Sequence, residues 1–269
     1  MKLPEIARVT GESARARLGG RILLAVAVVG LLACAGARAT EKPKTATVQF
    51  KNGDQTLSGF LVLPDREGKH PAMIVIHESW GLNDWVKEQA EKLAEQGYVS
   101  LAVDLYGGKT TTDPAEAHEL MRALPEADAI KELRAAFDYL ATRPDVKPES
   151  IGVIGWGTGG GLAMQLAPHE PRLRACVVNY GALPTDPGDL QNIGAAILGN
   201  FGALDRGITP EDVKAFQVSM TKLQKFVSLK IYDNAGHGFE NPNNAEAYRP
   251  DAAADAWRRT LTFLKTVVK

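Results

Sequence analysis

The 269-residue chain is 45% hydrophobic, with 31 basic and 32 acidic side chains and a formal net charge of -1. That length is enough to bury one large core, and single α/β domains commonly reach this size. The near-neutral charge offers no basic face of the kind that nucleic acids require. Composition therefore argues against a nucleic-acid partner and predicts a small-molecule one.

The first forty residues have the order of a secretory signal. Arg15, Arg17 and Arg21 precede a continuous apolar run at residues 22–33, and Ala37-Arg38-Ala39 follows as a cleavage site. A membrane span needs about 20 apolar residues, so a permanent transmembrane anchor is the weaker alternative. We predict that residues 1–39 are a signal peptide and that the protein is secreted or periplasmic.

Cys34 leaves open whether the protein also carries a lipid. Leu31-Leu32-Ala33-Cys34 resembles a bacterial lipoprotein box, in which the cysteine becomes the lipidated first residue after cleavage. Alternatively, Cys34 is only a small apolar residue within the signal. Contact with a membrane is expected only through the signal or this anchor. In both cases Cys176 is the one cysteine left for the folded domain, so no intrachain disulfide is expected.

After the signal, the sequence predicts a single domain over residues 40–269. Two alternating segments, 45–51 and 56–62, flank Asn52-Gly53-Asp54 and predict an antiparallel hairpin. Short apolar runs then alternate with helical patterns, which predicts a mostly parallel sheet covered by helices on both faces. The predicted strands are 72–76, 99–103, 150–154, 175–180, 195–201 and 227–232, and the predicted helices are 84–96, 114–123, 128–142, 162–167, 210–226 and 252–268.

The segment from Ile151 to Gly161, IGVIGWGTGGG, joins an apolar run to a helix-like segment through a glycine turn. This order resembles the strand, elbow and helix of an α/β-hydrolase, in which the motif reads Gly-x-nucleophile-x-Gly. The nucleophile position falls on Gly157, which has no side chain. The segment therefore predicts the fold and excludes the usual attack by a side chain at this position.

Asp205 and His237, which lie further along the chain, match the other two parts of a catalytic triad. Asp205 follows a predicted strand that ends near Phe201, and His237 lies in a loop after the next predicted strand. The order elbow, Asp, His is that of α/β-hydrolases. A histidine there takes a proton, while the carboxylate fixes its tautomer and stabilises the imidazolium. Taken singly, each residue could be an ordinary loop residue, but the shared order favours a dyad.

A third cluster, His77-Glu78-Ser79, follows the first predicted parallel strand. In α/β-hydrolases this loop gives one backbone N–H to the oxyanion hole, and the residue after the nucleophile gives the other. The two donors here would be Ser79 and Thr158. We interpret His77 as a buried, hydrogen-bonded residue at the strand end.

These motifs together resemble the dienelactone hydrolase family over nearly all of residues 45–268. The resemblance rests on VIHESWGLND, GYVSLAVDLYGG, IGVIGWGTGGG, GALDRG and AGHGFENP, which occur in the correct order. It implies an α/β-hydrolase with a Cys-Asp-His triad that acts on cyclic or activated esters without metal or organic cofactor. Asp205 and His237 match the acid and base, Glu78 matches a glutamate that contacts the resting cysteine, and Gly157 replaces that cysteine.

The glycine at position 157 allows several interpretations. Three other side chains are poor substitutes for the missing nucleophile, because Thr158 is displaced from the nucleophile position, Ser79 is an expected oxyanion donor, and Cys176 lies in a predicted buried strand. The Asp-His dyad could instead activate water, giving weak ester or lactone hydrolysis. A protein that only binds such a compound is the alternative, and a monomer is favoured. Dinucleotide binding, suggested by G-x-G-x-x-G, lacks the acidic residue expected about 20 residues later.

Overall fold

The computed structural model describes residues 43–269, in which eight strands form one sheet. The predictions for the signal peptide, its cleavage site and Cys34 lie outside these described residues. The strands are β1 (Lys44–Asn52), β2 (Gln55–Leu63), β3 (His70–Ile76), β4 (Val99–Asp104), β5 (Val146–Trp156), β6 (Ala175–Asn179), β7 (Ala196–Gly202) and β8 (Val227–Tyr232). The helices are α1 (Asp84–Glu95), α2 (Pro114–Ala123), α3 (Glu126–Thr142), α4 (Thr158–His169), α5 (Pro187–Asn192), α6 (Pro210–Lys222) and α7 (Pro250–Val267).

The order of the strands is β1-β2-β4-β3-β5-β6-β7-β8. β1 pairs with β2, and β2 with β4, in antiparallel register, while the other neighbours are parallel. The antiparallel hairpin therefore forms one edge, as the sequence predicts. Parallel strands need crossover connections, and the intervening helices provide them.

Helices cover both faces of the sheet because the central strands are apolar on both sides. In β3, Ala72, Ile74 and Ile76 pack into the core beneath α3, α4 and α6, whereas Met73 and Val75 pack into the core beneath α1 and α7. Side chains alternate between the two faces of a strand, so a strand buried on both faces reads as a continuous apolar run. The predicted mostly parallel α/β-hydrolase architecture is confirmed.

Two predicted helix boundaries differ by four residues from the structure. α4 begins at Thr158 rather than at residue 162, because the glycines after it are helical and close to the sheet. A Cβ on Gly159 would collide with the carbonyl groups of Ile76 and His77, so only glycine allows this approach. α6 ends at Lys222 rather than at residue 226, since the chain turns at Gln224 with φ of 56°.

The structure also contains one short helix that the sequence analysis assigned to no element. α5 has six residues and begins at Pro187, where Asp186 accepts hydrogen bonds from the backbone N–H groups of Gly188 and Asp189. Asp, Pro and Gly in succession are typical of turns, so a helix this short gives no periodic signal.

Candidate active site

The residues singled out in the sequence meet at one edge of the sheet. Glu78 follows β3, Gly157 follows β5, Asp205 follows β7 and His237 follows β8. These strands are parallel, so their carboxyl ends lie at the same edge, where ligands of open α/β sheets bind. Tyr180, directly after β6, lies at the same edge and was not among the predicted site residues.

The elbow between β5 and α4 has a backbone conformation that ordinary residues rarely adopt. Gly157 has φ of 51° and ψ of -117°. Its N–H donates to the carbonyl of Asn179 over 2.9 Å, and its carbonyl accepts from the N–H of Gly161 over 3.0 Å. Both backbone groups are held by the surrounding fold, so the turn is maintained without a side chain at this position.

His237 faces this turn. A Cβ built on Gly157 would lie 3.4 Å from His237 Nε2, 3.9 Å from Glu78 Oε1 and 3.9 Å from Tyr180 Cε2. These are ordinary van der Waals contacts, so the space in front of Gly157 would admit a small side chain. The residue at the elbow, the histidine and the glutamate thus converge on one point.

Asp205 holds the histidine by its other nitrogen. His237 Nδ1 lies 2.8 Å from Asp205 Oδ2. A carboxylate only accepts hydrogen bonds, so Nδ1 carries the proton, and in the neutral imidazole Nε2 keeps its lone pair towards the elbow. Asp205 Oδ1 accepts from the backbone N–H groups of Gly207 and Ile208 over 2.8 and 3.0 Å, which fixes the carboxylate.

This pairing shifts the pKa of each partner. The hydrogen bond that His237 donates to Asp205 raises the pKa of His237 above its ordinary value, against the opposing effect of burial. Burial by itself raises the pKa of Asp205, but the hydrogen bonds from His237, Ile208 and Gly207 outweigh it and lower that pKa. Asp205 is therefore ionised at neutral pH, as the orientation of the imidazole requires.

Glu78 is buried with both carboxylate oxygens hydrogen-bonded. Tyr180 Oη donates to Oε1 over 3.2 Å, and Asn241 Nδ2 donates to Oε2 over 2.6 Å. Burial raises the pKa of Glu78, while these two hydrogen bonds act in the opposite direction. A buried carboxylate with two donors is fixed in place, so Glu78 forms a rigid wall of the site beside Gly157.

The other predicted residues take distinct positions. Thr158 is the first residue of α4, where backbone N–H groups lack an intrahelical acceptor, and its hydroxyl donates to Met121 Sδ over 3.4 Å rather than to His237. Ser79 follows Glu78 in the loop after β3. His77 is buried, and its Nε2 accepts from the N–H of Leu105, which leaves Nδ1 to donate to the carbonyl of Glu78. Cys176 lies fully buried in β6.

A second carboxylate, Glu240, was not predicted from the sequence. Its Oε2 accepts from Trp156 Nε1 over 3.0 Å, so it ties the loop of His237 to the residue before Gly157. Its Oε1 is buried and has no hydrogen-bond partner within residues 43–269. Burial raises the pKa of Glu240 to about 8. The run His-Gly-Phe-Glu-Asn contains Glu240 and Asn241, and proximity to His237 was the only sequence signal for either.

A pocket of about 380 Å³ opens in front of the elbow. We call it the elbow pocket. A volume of this size falls within the range of small-molecule sites. It is lined by Tyr106, Met121, Leu124, Glu126, Gly157, Thr158, Gly161, Leu162, Gln165, Tyr180, Ala182, Ile208 and His237.

Two further observations bound the chemistry of the described part of the chain. Residues 43–269 contain no group of three or more His, Cys, Asp or Glu side chains placed to hold a metal ion. No helix among them has both the length and the apolar character needed to cross a membrane.

The fold and the arrangement at its edge define the class of protein: the chain is an α/β-hydrolase. An acylaminoacyl peptidase of Pyrococcus horikoshii shares this fold at 16% identity, with a TM-score of 0.69 over 85% of this chain and 42% of that one. The model of the dienelactone hydrolase family matches residues 57–268. The chain belongs to that family.

Named relatives agree with this placement. The chain is 30% identical over 243 residues to a Synechocystis protein named "Putative carboxymethylenebutenolidase", which covers 84% of this chain and 98% of the relative. It is 33% identical over 227 residues to a Bradyrhizobium protein named "Probable 2-oxo-3-(5-oxofuran-2-ylidene)propanoate lactonase", over 80% of this chain and 90% of the relative. A solved dienelactone hydrolase-like promiscuous phosphotriesterase from metagenomic libraries is 26% identical, with a TM-score of 0.79 over 85% of this chain and all of that one.

Proposed function

We propose that this protein is a weak carboxylic ester or lactone hydrolase in which Gly157 occupies the nucleophile position and His237 activates water. The observation that carries the proposal is the 3.4 Å distance from His237 Nε2 to the point where a Gly157 Cβ would lie. A water molecule positioned where a nucleophile side chain would extend lies within hydrogen-bonding reach of Nε2. General-base catalysis needs this geometry first and a suitable pKa second.

The reaction proceeds in one addition and one elimination. His237 Nε2 takes a proton from water as the oxygen attacks the carbonyl carbon, and a tetrahedral oxyanion forms. The backbone N–H groups of Ser79 and Thr158 stabilise the oxyanion, and Asp205 stabilises the imidazolium. The imidazolium then gives its proton to the departing alcohol oxygen as the ester bond breaks. The products are the acid and the alcohol, and no acyl-enzyme forms.

This mechanism retains only part of the usual rate enhancement. A positioned general base contributes about 10²–10⁴-fold, and one oxyanion donor about 10²–10³-fold. Covalent catalysis by a side chain is lost with the cysteine. We therefore propose turnover that is slow but well above the rate in buffer. The names of the relatives, which describe lactone substrates, support a lactone or an activated ester as the compound bound.

Localisation and assembly are separate proposals. The signal-like sequence of residues 1–39 supports a secreted or periplasmic protein, lipid-anchored if Cys34 is modified. We propose a monomer that requires no cofactor and engages a small molecule. Mass measurement of the mature protein from the native host decides between cleavage after Ala39 and lipidation at Cys34.

The test of the function is hydrolysis of p-nitrophenyl hexanoate by the wild-type protein and by His237→Ala. We expect the wild type to show steady turnover without an initial burst, and the variant to lose at least about tenfold of that rate. His169→Ala is the matched control, because His169 is an exposed histidine at the end of α4, on the opposite end of the helix from the elbow. Equal rates for wild type and His237→Ala would refute general-base catalysis and leave a protein that only binds its ligand.

A further inference from the structure

The chemistry of the elbow pocket indicates which compounds it accepts. Within the described residues, none of the side chains that line it is a lysine or an arginine. Its walls are formed largely by apolar side chains, and the uncharged polar groups are those of Thr158, Gln165 and the two tyrosines. A ligand with a carboxylate would therefore find no cation other than a protonated His237 to pair with.

One wall of the pocket presents apolar side chains that the fold itself does not bury. α2 contributes Ala117 to the interior as its only buried residue, whereas Met121 on the same helix is 37% exposed and lines the pocket. Leu124, just after α2, lines it as well. When an apolar ligand covers partly exposed apolar side chains around a concave site, the removal of this surface from water favours binding.

The charges near the pocket are acidic. Glu126 lies on its wall, and Glu78 lies beside Gly157, where a built Cβ would come within 3.9 Å of its Oε1. Glu78 donates no hydrogen bond when ionised and already accepts two. A ligand carboxylate entering this pocket would lose part of its hydration, face Glu126 on the wall and find no basic side chain there to pair with. A charge that leaves water without a partner is strongly unfavourable.

We propose that the elbow pocket is specific for esters whose acyl chain is uncharged and apolar, and that it discriminates against acyl chains that end in a carboxylate. The proposal rests on the proposed function in that the pocket is where the ester binds. It departs from the carboxylate-bearing lactones that the names of the Synechocystis and Bradyrhizobium relatives describe, a carboxymethylenebutenolide and a propanoate. Two wall positions contribute to this preference: Glu126 carries a negative charge, and Gln165 offers no positive charge to a ligand carboxylate.

The experiment compares three amides that bind as esters do but resist hydrolysis: N-butylhexanamide, N-butyladipamide and the anionic N-butyladipamate. They differ only at the end of the acyl chain, which is a methyl group, a neutral amide or a carboxylate. Binding to the wild-type protein is measured by isothermal titration calorimetry. We expect the methyl compound to bind at least about tenfold more tightly than the carboxylate, with the neutral amide between them, because only the carboxylate brings an unpaired charge.

Two variants test the cause of the preference. Gln165→Lys places a cation on the wall and should improve carboxylate binding at least about tenfold, while the neutral control Gln165→Met should not. Carboxylate binding equal to or tighter than methyl binding in the wild type would overturn the proposal, and so would the absence of binding by all three compounds. Hydrolysis of p-nitrophenyl hexanoate is measured separately, so a protein that binds the methyl compound but hydrolyses nothing refutes the proposed function alone.

Discussion

Replacing Gly157 by cysteine should restore a nucleophile and destabilise the protein at the same time. Gly157 has φ of 51° and ψ of -117°, a region in which a residue with a Cβ is strained. Such strain costs about 1–3 kcal/mol per residue. The new Cβ meets His237 Nε2 at 3.4 Å and no other atom closer than 3.9 Å, so steric overlap adds little. We expect Gly157→Cys to lower the free energy of unfolding by about 1–3 kcal/mol.

Gly157→Ala separates the strain from the chemistry. Alanine meets the same backbone restriction but has no thiol, so both variants should lose similar stability in urea denaturation. Only the cysteine variant should release p-nitrophenol in a burst, with an amplitude of about one per protein molecule, as an acyl-enzyme forms. Cys176 does not interfere, because it is fully buried and burial raises the pKa of its thiol.

Two results would refute this reasoning. If Gly157→Cys and Gly157→Ala were as stable as the wild type, the backbone would not be strained at this turn. If the new thiol reacted with a small thiol reagent but gave no burst with the ester, His237 would not be aligned with the elbow. A burst that persists in Gly157→Cys with His237→Ala would show that the thiol acts without the histidine.

Three further predictions concern the ionisable groups. Hydrolysis should increase as the pH rises through the pKa of His237, which is raised above its ordinary value. Asp205→Asn should move that inflection to lower pH and slow turnover at least about tenfold, and an unchanged pH profile would remove Asp205 from the mechanism. Glu240 has a folded pKa of about 8, above its unfolded value, so it binds its proton more tightly when folded. The free energy of unfolding should therefore fall as the pH rises from 5 to 8, by on the order of 3 kcal/mol more in the wild type than in Glu240→Gln. Denaturant titrations that show the same pH dependence for both proteins would contradict this. Trp156→Phe removes the hydrogen-bond donor to Glu240 and should lower the free energy of unfolding by about 1–3 kcal/mol. This loss should be much smaller when Glu240 is also replaced by leucine, and additive losses would show that the hydrogen bond is not responsible.

The fold follows from the sequence because its signals are local and repeated. Each central strand is a short apolar run, as in β3, and each is followed by a helical pattern, so the parallel sheet and its two helical layers are predictable. The early start of α4 was not predictable, because three glycines in succession indicate a loop when only helix propensity is considered. Their helical conformation depends on the approach of α4 to the carbonyl groups of Ile76 and His77, a tertiary contact.

The candidate site also divides into residues that the sequence predicts and residues that only the folded structure reveals. Asp205 and His237 are recognisable because catalytic order along the chain fixes which strand ends carry them. Tyr180 and Asn241 donate to Glu78 from positions 102 and 163 residues away in sequence, and such pairing leaves no pattern along the chain. Glu240 is similar, since its partner Trp156 is 84 residues distant. Supporting hydrogen bonds across a site are set by the meeting of strand ends, which requires the folded structure.

The conformation of the elbow has a genetic consequence. Because the turn is fixed by its neighbours and is most relaxed with glycine, a chain that loses the nucleophile here keeps its architecture and gains stability. The cysteine codons TGT and TGC and the serine codons AGT and AGC each lie one base from the glycine codons GGT and GGC. A single base change therefore separates a form with a nucleophile at this turn from a form with glycine.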